Sequence, residues 1–239
     1  MEVIIPISGS AARKLPLESK SQILYTICDF DRRSMNDRGI KSAIRARIES
    51  LPEDAVFTAT DFADIASSDN IRRAFKELRD EGTIDRAARG VYYKPRYSAI
   101  LDQAVPPSVE KVAEAVARAR GWTIVPSGDH ALNMLGLDTQ VPAVYSYVST
   151  GPYTDLQVGP FKVSFKHSAS KNLVGMSKIT LLVIQALKAL GREGVDDKAI
   201  DHLSRRLDDS EKAALLEETQ HSTAWIRQTA RMIAEGESR

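Results

Sequence analysis

Eight side chains between Asn70 and Arg96 have the types and spacing that nucleic-acid recognition needs. Asn70, Arg72, Arg73 and Lys76 fall within two turns of one amphipathic stretch, and Arg86, Arg89, Lys94 and Arg96 follow in a β-prone stretch. An arginine can bond a guanine edge through two parallel hydrogen bonds, and an asparagine can do the same to adenine. Asn70, Arg72 and Arg73 are therefore expected to read bases. Lys76, Arg86, Arg89, Lys94 and Arg96 suit phosphates, which fix register without carrying sequence information. Glu77, Asp80, Glu81 and Asp85 lie among these cations, which is also the pattern of an ordinary solvated surface.

The elements around these residues decide how they are presented. Ile71, Ala74, Phe75 and Leu78 recur at spacings of three and four, so they form one apolar stripe and leave the cations outside. Ser67-Ser68-Asp69 supplies a turn and an N-cap, and Gly82 fits the left-handed residue that ends a helix. Upstream, Thr60 is expected to cap a short helix over 61–66. Downstream, Thr83–Arg86 and Val91–Tyr93 read as two strands of a hairpin around Ala87-Ala88-Arg89-Gly90. Strand, short helix, turn, basic helix and ribbon is the order of a winged helix-turn-helix, whose second helix enters the major groove. A preceding helix, Gly39 to Leu51, carries Ile40, Ile44, Ile48 and Leu51 on one side and stops at Pro52.

Other chemistry finds little support. His130, His167, His202 and His221 are scattered, with no His-x-x-x-His pair, and no phosphate-binding or nucleophile-elbow motif occurs. No cofactor or metal is expected, and no catalytic residue. Ser127-Gly128-Asp129-His130 lies at a strand-to-helix turn, where Ser127 or Asp129 is expected to act as an N-cap. Lys162, Ser164 and Lys166 alternate on a strand opposite Val163 and Phe165, and with Lys171 they form a second basic face. A nuclease-like activity would have to draw on Asp129 or Asp155.

The chain has 239 residues, enough for two domains, and its 43% hydrophobic and 27% charged residues are those of a globular protein. Net charge is only +1, so any DNA contact must come from a local patch. Cys28 stands alone, which excludes an intramolecular disulfide and fits a reducing cytoplasm, and neither a membrane span nor a signal peptide is legible. The expected fold class is α+β. Its parts are an accessory arm (1–37), a winged helix-turn-helix (38–97), a proline-marked linker (98–107) and an α+β domain (108–239). In this last domain Ser108–Arg120 reads as a helix, the runs 143–149, 156–158 and 161–167 read as an antiparallel meander, and the tail is helical.

The stretch FTATDFADIASSDNIRRAFKELRDEGTIDRAARGVYYKP, with PSGDHALNMLGLDTQVPAVYSYVSTGP and FKVSFKHSASKNL, resembles the AbiEi-type antitoxins of type IV toxin-antitoxin (abortive infection) systems over about Lys41 to Leu207. That resemblance implies a DNA-binding antitoxin, without enzymatic activity, that represses its own operon; repressors of the winged helix motif usually meet inverted repeats as two copies, as a dimer or cooperatively. It also implies a nucleotidyltransferase toxin as functional partner. The alternatives are a stand-alone regulator with a ligand-sensing second domain, or a DNA-targeted nuclease.

Overall fold

The computed structural model describes residues 37–98, 103–169, 173 and 175–236. The expected arm up to residue 36, Cys28 and Lys171 lie outside the described residues. By its contacts the chain divides into two units.

The first unit holds 37–52 and 59–84 of the described chain. Helix α1 (Asp37–Ser50) buries Ile40, Ile44 and Ile48, one residue per turn, while Leu51 is half-buried beyond its end. Helix α2 (Ser68–Asp80) buries Ile71, Ala74, Phe75 and Leu78, the stripe read from the sequence. Phe75 meets Phe62 edge to face, with centroids 5.3 Å apart. Gly82, at φ +76°, lets its own N–H reach the Arg79 carbonyl (2.9 Å) and that of Thr83 reach Leu78 (2.9 Å). These paired bonds satisfy carbonyls that the helix end leaves open. The helix expected over 61–66 is instead a 3₁₀ turn, Ala59–Phe62, continued by a further turn. Its bonds run from Ala63 N–H to the Thr60 carbonyl (3.3 Å) and from Ile65 N–H to Phe62 (2.9 Å). So few residues cannot repay helix nucleation, and buried Phe62 and Ala66 hold the segment by packing instead.

The second unit holds 53–58 and the described chain from Asp85. Strands β1 (Val56–Thr58), β2 (Asp85–Ala88) and β3 (Val91–Tyr93) form an antiparallel sheet in the order β1-β3-β2. The β2–β3 turn is Arg89-Gly90, with Gly90 at φ +77°, and the register slips between Arg86 and Ala88. The stretch expected as a linker is partly ordered as an antiparallel pair, β4 (Arg96–Ser98) with β5 (Gln103–Val105). Ala88 and Val91 share an apolar cluster with helix α3 (Val109–Arg120), which is why the strands group with this unit rather than with α2. The Ser108 side chain caps α3 by accepting from Lys111 N–H at 3.4 Å.

A four-stranded sheet follows, ordered β6-β7-β9-β8, from β6 (Ile124–Pro126), β7 (Val144–Ser149), β8 (Thr154–Val158) and β9 (Phe161–His167). The expected antiparallel meander is corrected here: β9 lies between β7 and β8 and pairs parallel with β7. Burial accounts for the order. β9 inserts Val163 and Phe165 fully and takes the central place, whereas β8 buries only Val158 and stays at the edge.

Helix α4 (Asp129–Leu135) joins the tail helices α5 (Lys178–Leu190), α6 (Asp197–Arg206), α7 (Asp209–Glu218) and α8 (Ala224–Glu235). Leu135, Leu187, Ile200, Leu203 and Ile233 sit together at their centre. The fold is α+β, with helices at its C-terminal end, as expected. No described helix is long and apolar enough to cross a membrane.

Candidate nucleic-acid interface

The start of α2 is set by Ser67, whose hydroxyl accepts from Asn70 N–H at 3.5 Å. Asn70 is half-buried there, and Arg72, Arg73 and Lys76 are exposed. The acids among these cations are engaged elsewhere. Lys41 of α1 reaches Glu77 (2.8 Å) and Glu81 (2.5 Å), and Arg45 pairs with Glu81 and donates to Thr83 Oγ1 at 3.3 Å. Hydrogen bonding to Glu77 and then Glu81 pushes the Lys41 ammonium up, and the Lys41 bond draws the Glu81 carboxyl down. Asp80 faces Arg79 at 3.6 Å, and Asp64 receives two bonds from Arg47 (2.7 and 2.8 Å).

Arg73 and Lys76 are left without an acidic partner among the described residues. Arg72 pairs with Asp69 at 3.0 Å, but both side chains are exposed. Such pairs contribute about 0–1 kcal/mol, so a phosphate or base edge can replace Asp69 at small cost. With the positive end of the helix dipole beside Asn70, this surface is suited to an anion.

In the second unit Arg86 is exposed on β2, its Nε donating to the Ala88 carbonyl at 3.1 Å. Arg89 is exposed at the hairpin turn and Arg96 on β4, while Lys94 is half-buried and its backbone N–H donates to Ala55 at 3.0 Å. On β9, Lys162 and Lys166 point out and Val163 and Phe165 point in, as the alternation requires. Lys162 is ion-paired with Asp155 at 2.7 Å, and its hydrogen bond draws that carboxyl down. One of the two described lysines of this face is thereby neutralised.

The turn before α4 is not capped as expected. Its N-cap is Gly128, at φ +60°, with no side-chain bond, while buried Ser127 donates its N–H to Ser146 at 2.9 Å. His167 Nδ1 lies 3.0 Å from the Gly151 carbonyl and His202 Nε2 lies 2.8 Å from that of Leu135, so both rings tie loops. Among the described residues, no three His, Cys, Asp or Glu side chains gather to hold a metal.

Sequence reasoning missed one cluster. His130 is 1% exposed, its ring wedged edge to face against Tyr145 (4.9 Å) and Tyr147 (5.0 Å), with neither nitrogen hydrogen-bonded. Its Nε2 stands 3.6 Å from Glu110. Burial pulls the imidazole below its ordinary pKa of 6.5, against an opposing pull from Glu110. Residues this far apart in the chain leave no local signature.

The sign of the pH effect follows. Above pH 6.5 neither folded nor unfolded His130 holds the proton; as pH falls below it, the unfolded chain takes up a proton that the folded chain resists. Stability should therefore drop with acidification, and His130→Phe should drop less. Thermal melts of both proteins at about pH 7.5 and about pH 5.5 check this; equal drops would show that His130 is freely protonated when folded.

A family model described as a family of unknown function (DUF6088) matches residues 43–215. No curated protein matches the chain.

Proposed function

The chain belongs to the DUF6088 family, whose function is unknown; from the charge on α2 and the resemblance of its sequence to the AbiEi-type antitoxins, we propose that it is a DNA-binding antitoxin and autorepressor acting in the cytoplasm. In this reading it binds inverted repeats in its own promoter, as a dimer or cooperatively, and opposes a nucleotidyltransferase toxin. It performs no catalysis itself.

The observation that carries the DNA-binding part is the distribution of charge on α2. Each neighbouring acid is occupied by another group, and Arg73 and Lys76 are left exposed on the outer side of a capped, well-anchored helix. That separation gives a nearly neutral chain a local cationic surface of the kind DNA needs. The antitoxin part rests on the resemblance of residues 41–207 to the AbiEi-type family.

Arg73→Ala should weaken binding to the specific site by about 1–3 kcal/mol and relax base preference, while Lys94→Ala should weaken all sequences alike. Titration of each variant against operator and random DNA checks both. Equal losses on the two DNAs for Arg73→Ala would remove its base-reading role. Co-expression with the neighbouring toxin gene tests the antitoxin half: rescue of growth is expected, and unrelieved toxicity would end that part of the reading.

A further inference from the structure

The second unit contains a cavity of about 320 Å³ that shares only Arg86 with the candidate DNA contacts. Its apolar walls are Tyr93, Tyr145, Val158 and Phe161, and two charged side chains, Arg86 and Glu110, open onto it. The Tyr145 and Phe161 rings meet at 75° with centroids 5.5 Å apart, forming an aromatic corner. Tyr93 is fixed as a further wall by its hydroxyl, which donates to Asp85 at 3.1 Å. The charges are unspent. Arg86 uses Nε on the Ala88 carbonyl and has no carboxylate partner among the described residues, so its terminal nitrogens are available. The Glu110 side chain, 39% exposed, has His130 at 3.6 Å as its ionic neighbour among the described residues, and burial disfavours the charged form of that ring.

Two opposite charges thus face one aromatic-walled cavity without pairing with each other. Both side chains are reached by solvent, so neither is a strained buried charge; a ligand that supplies both counter-charges can engage each through charge-assisted hydrogen bonds. The volume lies in the range of small-molecule sites, about 300–1,000 Å³. We propose that this cavity binds a small zwitterion with an apolar body, of the class of an aromatic or branched aliphatic amino acid. The ligand carboxylate is held by Arg86, its ammonium by Glu110, and its side chain lies in the Tyr145–Phe161 corner. Since Arg86 is also a candidate phosphate contact, an occupant that engages it would weaken a DNA complex. That consequence rests on the reading above, whereas the cavity itself does not.

Calorimetric titration of the full chain, without DNA, decides the matter, with L-phenylalanine and L-leucine as probes. At least one should bind. For phenylalanine, 3-phenylpropionate, which lacks the ammonium, and phenethylamine, which lacks the carboxylate, should each bind about ten-fold more weakly or worse. Arg86→Gln and Glu110→Gln, both of partly exposed side chains, should each cost about ten-fold at unchanged melting temperature. No binding of either amino acid at millimolar concentration would overturn the assignment, as would affinity that both variants retain. Because no DNA is present, neither result bears on the repressor reading.

Discussion

Replacing Phe75 with alanine is expected to cost the first unit about 3–5 kcal/mol of stability, enough to unfold it under mild conditions. Phe75 is fully buried on the inner side of α2, in line with Ile71 and Leu78, and stacks edge to face on Phe62. Truncation removes the ring's burial, leaves a cavity that helix and 3₁₀ turn cannot close, and forfeits an aromatic pair worth about 0.5–1.5 kcal/mol beyond its area. Urea denaturation followed by circular dichroism measures the loss. Specific DNA binding should vanish with it, whereas Arg73→Ala should leave the denaturation midpoint where it was, which separates a scaffold role from a contact role. A loss below about 1 kcal/mol for Phe75→Ala would mean that α2 is not anchored through this ring.

The second large effect is expected at Gly151. A Cβ built there would fall 2.1 Å from Trp122 Cε2 and 2.2 Å from Cδ2, inside any permissible contact. The backbone is tied: Gly151 N–H donates to Ser149 Oγ at 3.0 Å and its carbonyl meets His167 Nδ1 at 3.0 Å. The indole is tied as well, with Arg120 over it at 4.7 Å and Phe165 against it at 5.8 Å. Neither partner can step aside cheaply, so Gly151→Ala should cost about 3 kcal/mol, the upper end for overpacking. A double-mutant cycle with Trp122→Ala supplies the control: the alanine at 151 should cost far less once the indole is gone. Wild-type stability for Gly151→Ala alone would contradict the close approach.

What the sequence disclosed and what it withheld divide along a physical line. The stripes of α1 and α2, the Ser67 cap and Gly82 at the end of α2 depend on residues three to five apart, and each is found where local chemistry puts it. The alternation of Lys162 and Lys166 against Val163 and Phe165 is local in the same sense. Non-local choices were not legible. The passage of β9 between β7 and β8 depends on which strand has most to bury against α3, and no dipeptide at a turn records that. The 3₁₀ turn at Ala59–Phe62 replaces a helix because tertiary anchors prevailed over a capping signal. The ladder at Arg96–Ser98 was hidden by the prolines around it.

The candidate surface shows the same split. Helical periodicity alone put Arg72, Arg73 and Lys76 outside, but the pairing of Glu77 and Glu81 with Lys41 and Arg45 required α1 to be placed against α2. The alignment of Arg86, Glu110 and Phe161 around one cavity joins three elements far apart in the chain.

Sequence-selective DNA binding is the property on which the proposed function stands. It is tested most directly by titrating the purified protein against the DNA just upstream of its own gene and against random DNA of equal length, at two salt concentrations. Tight, selective binding to the upstream DNA that weakens steeply as salt rises is the expected result, because the phosphate contacts proposed above would release counterions. Equal, weak binding to both DNAs would contradict it and turn the cationic side of α2 into a surface for some other partner.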